Sequence, residues 1–274
     1  MKADLHNHSY YSDGVLSPSE VVMLASEAEC ELFSLTDHDT TEGIAEAQLE
    51  ADKLNLNLIN GVEISALWRN MAIHILGLGI DINNDILQAG LEHNQKLRKE
   101  RAEKIAIGLW RSGIKDALEK TQSFSKTDML TRTHFAQMLI SEGYCKDMKA
   151  VFRRYLTGKK PGGVRVEWED FDEVVRWIHA AGGKAFIAHP FRYRMTHTKI
   201  KTMINDFKCV LGDGIEIVTG TSSVEEIQLG NQWAGQYNLL VTCGSDFHGW
   251  PNQRVRIGNL RDLPDPEKAV WKYL

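Results

Sequence analysis

Histidine and carboxylate side chains recur along this sequence, and most of them stand at or just after the end of a short apolar run. Imidazole nitrogens and carboxylate oxygens are ligands for zinc, manganese and iron, and a carboxylate can bridge two ions. If the fold gathers these side chains, the pattern predicts a centre of several metal ions. The histidines are His6, His8, His38, His74, His189 and His248, and the acidic residues near them are Asp13, Asp37, Asp39, Glu63 and Asp246.

Two pairs in this set have a spacing of two residues. His6 and His8 form one pair, and Asp246 and His248 form the other. Because side chains alternate along an extended strand, residues two apart point to the same side and can bind one ion together. A single buried histidine is more often an ordinary core residue than a ligand. That explanation would have to hold separately for six of the ten histidines, so we favour a metal site.

The apolar runs indicate an α/β fold. They are short and rich in Val, Ile, Leu and Phe, and amphipathic helical patterns lie between several of them. The predicted strands are Lys2–His6, Glu31–Thr36, Leu56–Glu63, Ala72–Leu78, Lys184–His189, Gly214–Val218 and Asn238–Gly244, and the predicted helices between them are Ser17–Cys30, Thr41–Leu54, Phe171–Ala181 and Val224–Tyr237. Such alternation favours a mostly parallel sheet or barrel, in which the C-terminal strand ends meet on one face and bring distant residues together.

The segment 91–165 breaks this alternation. It contains helical patterns over Leu91–Arg111, Asp128–Glu142 and Lys146–Leu156, and no convincing strand. It carries 17 Lys and Arg against 8 Asp and Glu, a net charge of +9, whereas the rest of the chain carries 15 against 29, a net charge of −14. A solvated basic helix is the commoner reason for a basic run, but an acidic body suggests bound cations. We predict a helical insertion over one face of the barrel.

Composition narrows the class of protein further. The chain has 274 residues and a net charge of −5, which does not indicate a general polyanion binder. We expect no membrane span and no secretion leader, because no apolar run approaches about 18 residues and the N-terminus lacks a charged-then-apolar pattern. Four scattered cysteines without a CxxC pair predict reduced thiols in the cytoplasm. No obligate protein partner is evident.

Taken in order, the motifs closely resemble those of the polymerase and histidinol phosphatase (PHP) family. The matching set is His6-x-His8, Ser12-Asp13-Gly14, Thr36-Asp37-His38-Asp39, Gly61-Val62-Glu63, His74, Ala188-His189-Pro190 and Ser245-Asp246-Phe247-His248. The resemblance spans almost the whole chain. It implies an α/β fold, a distorted (β/α)7 TIM-like barrel formed by residues 1–90 and 166–274, with residues 91–165 as a small helical insertion domain.

The resemblance also implies a ligand set. His6, His8, Glu63 and Asp246 would bind one ion, and Glu63, His74 and His189 a second. Asp13, His38 and His248 would bind a third ion where one is present. Asp37 and Asp39 would orient imidazoles from behind the ligands. Two or three divalent ions are therefore expected, with Mn²⁺ the first choice and Zn²⁺ or Fe²⁺ as alternatives.

Within the family, the sequence is most similar to the 3′,5′-nucleoside bisphosphate phosphatase and 5′-to-3′ exoribonuclease group. Three stretches support this similarity, namely Thr131–Ala136, Lys160-Pro161-Gly162 and Ala188–Tyr193. Gly163 and Phe191 depart from the expected pattern, which affects substrate preference more than reaction type. The expected partner is a nucleotide or a short oligoribonucleotide.

The expected reaction is hydrolysis of a phosphate ester by a metal-bound hydroxide. We predict that Arg132 and Arg192 clamp phosphate oxygens, because a guanidinium matches two of them, although either could be an ordinary surface arginine. His134 is a candidate phosphate donor or general acid, and Lys160 a further phosphate-binding residue. The basic insertion would bind a second phosphate or an RNA backbone.

Two other interpretations stay open at this point. One is a PHP-type phosphatase of a small metabolite such as histidinol phosphate, or more distantly a C–N hydrolase that also begins with an HxH strand. Such amidohydrolases usually use a strand lysine as the bridging ligand, where this chain has Glu63. The other is a non-catalytic metal-binding PHP module, against which the complete ligand set speaks.

Overall fold

The strands of this computed structural model, which describes residues 1–250 and 254–274, form two sheets. The three-stranded sheet consists of β1 (Ala3–Asp4), β2 (Leu32–Phe33) and β3 (Asn57–Leu58), all parallel. The five-stranded sheet consists, in spatial order, of β4 (Gly61–Trp68), β5 (Met71–Leu78), β6 (Lys184–Ile187), β7 (Gly214–Thr219) and β8 (Leu240–Gly244). Strands β6 to β8 are parallel, whereas β5 is antiparallel to both β4 and β6.

The second sheet is therefore mixed, although the sequence predicts a mostly parallel one. The cause is a two-residue turn at Arg69 and Asn70, both with positive φ, which joins β4 directly to β5. Such a turn produces an antiparallel hairpin. The predicted strand Leu56–Glu63 is also divided, since β3 ends at Leu58 and β4 begins at Gly61 in the other sheet.

Backbone hydrogen bonds connect the two sheets at both sides. The Leu5 N–H donates to the Cys243 carbonyl at 3.0 Å, next to β1 and β8. On the other side, the Asp39 N–H donates to the Glu63 carbonyl at 2.9 Å. The ends of β1, β2 and β8 and the start of β4 are therefore neighbours.

Helices cover the sheets and follow the local signals in the sequence. The helix α1 (Pro18–Glu27) has the expected proline at its first turn and a capping box between Ser17 and Glu20. Three other helices begin and end within about three residues of the predicted spans, and they are α2 (Ile44–Leu54), α7 (Phe171–Ala180) and α9 (Val224–Tyr237). The prediction did not include α8 (His197–Cys209), whose buried residues Ile200, Met203, Ile204 and Phe207 have helical spacing.

The basic segment folds into helices with a hydrophobic cluster of their own. It contains α3 (Asp85–Arg111), α4 (Ala117–Gln122), α5 (Arg132–Ser141), α6 (Met148–Val151) and a π-helical turn (Phe152–Leu156), and residues 91–165 contain no strand. Helix α3 begins six residues before the predicted start, because the Asn84 side chain caps it. Its first part contributes Leu87 and Leu91 to the main core, and its second part contributes Ile105 and Leu109 to the separate cluster.

None of the helices in residues 1–250 and 254–274 is both long and apolar enough to cross a membrane.

A close backbone approach fixes the second half of α3 against the end of the basic segment. A Cβ atom at Gly108 would lie 1.8 Å from the Pro161 carbonyl oxygen. We predict that Gly108→Ala lowers the free energy of unfolding by about 1–3 kcal/mol, because backbone atoms must move apart. Gly235→Ala in α9 is the matched control, since its Cβ would meet only the flexible Lys268 Nζ at 3.2 Å. We expect Gly235→Ala to raise the free energy of unfolding by about 0.5–1 kcal/mol, because alanine loses less backbone entropy than glycine in a helix. Urea denaturation of both variants measures this, and equal effects would contradict the packing described.

Candidate metal centre

The predicted ligand side chains meet where the two sheets join. His6 and His8 follow β1, and Asn7 between them pairs with Phe247 in an isolated parallel bridge. His38 follows β2 and pairs in the same way with Glu63 on β4. These bridges hold the ends of three strands together, and the side chains of His6, His8, His38 and Glu63 therefore point into one space.

Two of the predicted ligands have a left-handed backbone. His189 has a φ of 31° and Asp246 a φ of 56°, conformations that L residues rarely adopt. Hydrogen bonds to residues distant in sequence hold both. The His189 N–H donates to a Glu216 carboxylate oxygen at 2.7 Å, and the Asp246 N–H donates to the His6 carbonyl at 2.8 Å. Such strain is found where the surrounding structure fixes a side chain for function.

The Glu63 carboxylate occupies the middle of this space and is 1% exposed. One oxygen, Oε2, lies 3.3, 3.2 and 2.9 Å from ring nitrogens of His6, His8 and His38. The other, Oε1, lies 2.8 Å from His74 Nδ1 and 2.9 Å from His189 Nε2. Five imidazoles therefore surround a single carboxylate.

Two further carboxylates complete the cluster. Asp246 Oδ1 lies 3.1 Å from His8 Nε2 and 3.5 Å from His6 Nε2. Asp13 Oδ1 lies 3.2 Å from His248 Nε2 and 3.8 Å from His38 Nε2. The structure thus gathers all nine predicted ligand residues.

Three overlapping groups have ligand atoms within 4.8 Å of one another. One is His6, His8, Glu63 and Asp246, the same set that the family resemblance implies. A second joins His8 to Asp13, His38 and His248, and a third joins Glu63 and His74 to His38. His189 is outside the third group and reaches it through its contact with Glu63.

The chemistry of these donors fits divalent metal ions. Within the described part of the chain, six buried atoms of the cluster make no hydrogen bond of ordinary geometry, although most of them lie within ion-pair distance of a neighbouring cluster residue. They are His6 Nε2, His8 Nε2, Asp13 Oδ1, His38 Nδ1, Glu63 Oε2 and His189 Nδ1. A buried polar atom without a partner is costly, and a metal ion would satisfy it. The donor set of the cluster therefore fits divalent metal ions.

The charges of the cluster support the same conclusion. Burial lowers the pKa of His8, but the Asp246 and Glu63 carboxylates outweigh it and raise that pKa to about 10. Burial raises the pKa of Glu63, but neighbouring histidines hold it well below its usual range. The His38 imidazole behaves differently, because burial lowers its pKa to about 4. Ionised carboxylates beside histidines form an anionic site once a metal displaces the protons.

Asp37 and Asp39 have partners other than the imidazoles that the resemblance implies. Asp37 accepts hydrogen bonds from the Ser9 hydroxyl and the Ser12 hydroxyl, each at 2.6 Å. The Ser12 oxygen lies 3.4 Å from His8 Nδ1, so Asp37 reaches an imidazole through one hydroxyl. Asp39 accepts from Arg98 Nε at 2.6 Å, among other donors, and forms a buried ion pair with it. Among the described residues, the hydrogen bonds that hold Asp37 and Asp39 thus come from these groups and not from an imidazole.

Glu216 is a functional candidate that the sequence prediction missed. It is fully buried in β7, and its Oε1 lies 3.0 Å from His6 Nδ1 while its Oε2 holds the His189 backbone. The signal was present, because Glu216 is a carboxylate between Ile215 and Ile217 in an otherwise apolar strand. A carboxylate behind a ligating imidazole fixes the ring and strengthens it as a donor.

The predicted phosphate-binding residues are not all in one place. Arg192 Nη1 contacts Asp246 Oδ2, so Arg192 lies at the cluster. Arg132 and His134 lie in the first turn of α5, where the intervening Thr133 hydroxyl donates to Asp13 Oδ2 at 2.9 Å. Lys160 is exposed and lines a surface groove with Lys146, Arg153 and Arg154, away from the nine ligand candidates.

The environment of His134 determines its tautomer. Its Nδ1 accepts a hydrogen bond from the Thr131 N–H at 3.2 Å, as part of the α5 capping box. A neutral ring with Nδ1 as acceptor carries its proton on Nε2. Burial lowers the pKa of His134, which keeps the ring neutral near pH 7. His134 can therefore donate a hydrogen bond through Nε2.

We predict that divalent metal stabilises this protein through Glu63. Adding Mn²⁺ to chelator-treated protein should raise its melting temperature, because ligand at about 100 times its dissociation constant contributes about 2.7 kcal/mol. In Glu63→Gln the increase should be largely lost, since the central charge is gone. The exposed Glu119→Gln serves as the control and should respond like the wild type. A full response in Glu63→Gln would contradict the central role of this carboxylate.

We also predict that Glu216→Gln weakens metal binding without unfolding the protein. Loss of the charge behind His6 should raise the dissociation constant about 10- to 100-fold. Isothermal titration calorimetry with Mn²⁺ at fixed pH measures this constant, again with Glu119→Gln as the control. An unchanged constant in a folded Glu216→Gln variant would show that Glu216 has only a packing role.

Comparison with known proteins agrees with these observations. The family model for the PHP domain matches residues 4–219. The chain is 41% identical over 273 residues to the 3′,5′-nucleoside bisphosphate phosphatase of Chromobacterium violaceum, covering 99% of this chain and 95% of that protein. It is 39% identical over 274 residues to the 5′-3′ exoribonuclease of Haemophilus influenzae, covering 99% and 98%.

A solved structure has nearly the same fold. It is that of an amidohydrolase from Chromobacterium violaceum with bound sulfate and no metal, 40% identical, with a TM-score of 0.94 over 99% of this chain and 95% of that one. With a family model matching most of its length and relatives similar across nearly all of it, this chain belongs to the PHP-domain family.

Proposed function

We propose that this chain is a metal-dependent phosphoesterase that hydrolyses phosphate esters of nucleotides. The expected substrates are nucleoside 3′,5′-bisphosphates, which would lose their 3′-phosphate, and/or 5′-phosphorylated short RNA. The observation that carries this proposal is the cluster of six histidines and three carboxylates, with Arg192 in contact with the Asp246 carboxylate. The relatives named as a bisphosphate phosphatase and an exoribonuclease support the choice of substrate.

Two or three divalent ions would be held by the nine residues of the cluster, with Mn²⁺ as the expected metal and Zn²⁺ or Fe²⁺ as alternatives. When bound, such ions activate water and neutralise the negative charge of a phosphate ester. Glu63, in contact with five imidazoles, would be shared between ions. Glu216 would keep His6 oriented from behind.

Arg192 and His134 would both act on the substrate phosphate. Arg192 uses one guanidinium nitrogen on Asp246, and a second lies 3.4 Å from the Thr221 hydroxyl. Its remaining donors can bind a phosphate oxygen beside the cluster. His134 presents Nε2–H, which suits it to donate a hydrogen bond to a phosphate or to protonate the leaving oxygen.

Arg132 would provide a further phosphate contact, since Thr133 beside it is bonded to Asp13. Lys160 would act differently from the other predicted residues. Its place in an exposed groove suits contact with a longer RNA chain rather than with the reacting phosphate.

We also propose the barrel and insertion-domain arrangement that the sequence predicts. The bridges Asn7–Phe247 and His38–Glu63 support a distorted (β/α)7 barrel, because they connect the two sheets on both sides. The separate hydrophobic cluster supports residues 91–165 as an insertion domain between the barrel segments 1–90 and 166–274. The four cysteines are free thiols, which is consistent with the expected cytoplasmic location.

A substrate panel tests this function. We expect wild-type protein with Mn²⁺ to hydrolyse adenosine 3′,5′-bisphosphate and 5′-phosphorylated short RNA better than histidinol phosphate or p-nitrophenyl phosphate. His8→Ala should lose about 10³-fold in rate, because several kcal/mol of charge stabilisation depends on the cluster. The release of phosphate or nucleotide measures each rate, and circular dichroism confirms that the variant folds. A preference for histidinol phosphate, or equal activity in His8→Ala, would refute the proposal.

A further inference from the structure

A surface groove in the last part of the basic segment carries charge of one sign only. Its lining includes Tyr144, Lys146, Arg153, Arg154 and Lys160, and none of the nine ligand candidates. The four basic side chains are exposed, and among the described residues that line the groove none is acidic. Its volume is about 760 Å³. Sites for small organic molecules measure about 300–1,000 Å³, so the groove has room for more than a single ion.

The cations of this groove lack the partners that other basic residues of the same segment have. Lys120 is paired with Glu142, and Lys104 Nζ lies 3.6 Å from Glu100 Oε2. By contrast, none of the four groove cations forms an ion pair with any residue in 1–250 and 254–274. Like charges that converge without counter-ions repel one another, and protein surfaces usually mix both signs. The groove therefore suits an anionic partner.

The excess charge of the segment is concentrated around the groove. Residues 143–165 carry seven Lys and Arg against one Asp, a net charge of +6, whereas the whole of residues 91–165 has a net charge of +9. The long helix α3 and the helices α4 and α5 thus account for a small part of the excess. The groove, and not the segment as a whole, is the basic surface of this protein.

A π-helical turn presents two of the groove cations. The turn spans Phe152–Leu156, and π-helical turns are rare and frequently occur at functional sites. Tyr155 and Leu156 pack into the hydrophobic cluster of the segment, whereas Arg153 and Arg154 stay exposed. The Arg154 Cζ lies 5.3 Å from the Tyr155 ring centre. The two neighbouring arginines are therefore carried by a packed element and not by a free loop.

The groove is connected to the metal cluster through Phe152. This residue directly precedes Arg153, and its ring centre lies 5.9 Å from the Cζ of Arg132. The next residue after Arg132 is Thr133, whose hydroxyl donates to Asp13 Oδ2 at 2.9 Å. A polymer with one end at the cluster can therefore extend past Phe152 into the groove. A mononucleotide at the cluster has no need of it.

We propose that this groove binds the backbone of a single-stranded RNA whose 5′ end lies at the metal cluster. The inference rests on the proposed function, and it assigns the groove to RNA substrates and not to nucleoside bisphosphates. Lysine and arginine bind backbone phosphates without regard to sequence. The partly buried Tyr144 adds a ring on which a base can stack. The connection to the cluster favours RNA over an acidic protein surface, which becomes an outcome of the test.

The first experiment measures binding without metal and without turnover. A ten-nucleotide RNA with a 5′-phosphate and a dye at its 3′ end is titrated with chelator-treated protein at several salt concentrations, and fluorescence anisotropy gives the dissociation constant. For single strands, each neutralised phosphate contributes about 0.7 to the slope of log affinity against log salt. The double variant Arg153→Gln, Arg154→Gln should therefore lower that slope by about 1.4 and raise the dissociation constant about 10-fold.

Two further double variants make this result specific. Lys201→Gln with Lys208→Gln removes the same charge from α8, outside the groove, and should keep the wild-type slope. Arg153→Lys with Arg154→Lys should keep most of it, because lysine also neutralises a phosphate. An unchanged slope in the glutamine variant of the groove, as a partner of protein would give, overturns the proposal. So does an equal fall in the α8 variant.

The second experiment compares hydrolysis of the same RNA with that of adenosine 3′,5′-bisphosphate in Mn²⁺. The double variant Arg153→Gln, Arg154→Gln should lower the ratio of the two kcat/KM values about 10-fold, through a higher KM for the RNA. The α8 variant should keep the wild-type ratio. An equal loss on both substrates would show that the arginines act on the cluster or on stability, and it would overturn the assignment of the groove.

The outcomes also separate this inference from the proposed function. If the wild type hydrolyses both substrates and the groove variant changes neither the slope nor the ratio, the groove assignment is wrong and the function stands. If the wild type hydrolyses neither, the proposed function fails, and the salt dependence of RNA binding still decides whether the groove holds RNA. Should the groove double variant fail to fold, Lys146→Gln gives the same comparison with a change in slope of about 0.7.

Discussion

The contact of one buried carboxylate, Glu63, with five imidazoles is the constraint on which the rest of the structure depends. A carboxylate and a set of imidazoles can be buried together only if protons or metal ions balance their charges. In this protein the five histidines come from four segments far apart in sequence, and Glu63 is the point that all of them share. The strand ends must therefore meet closely, and the bridges between the two sheets provide that meeting.

The same constraint explains features that otherwise look unfavourable. Asp246 and His189 adopt a left-handed backbone, and Glu216 is a charged residue in the middle of a buried strand. Each has its explanation in the cluster, since Asp246 and His189 would supply ligand atoms and Glu216 holds a ring and a backbone N–H in place. The protein thus accepts local strain and buried charge where they position a donor, as is common at functional sites.

Much of this arrangement could be predicted from the sequence, because the relevant signals are local. Apolar runs followed by His or Asp predicted where strands end, and the two-residue spacing of His6 and His8 predicted a shared site. The antiparallel hairpin of β4 and β5 was harder to predict, since it depends on positive φ at Arg69 and Asn70, two residues that tolerate other conformations. The pairing of Asp39 with Arg98 could not be predicted at all, because it depends on where α3 lies in the folded protein and not on any motif.

Anomalous diffraction from crystals grown with Mn²⁺ tests the central claim most directly. The expected result is two or three peaks among the cluster side chains, with Glu63 as a ligand shared by at least two of them. Peaks only at other places in the molecule, or an occupied cluster in which Glu63 binds no ion, would contradict the role assigned to that carboxylate.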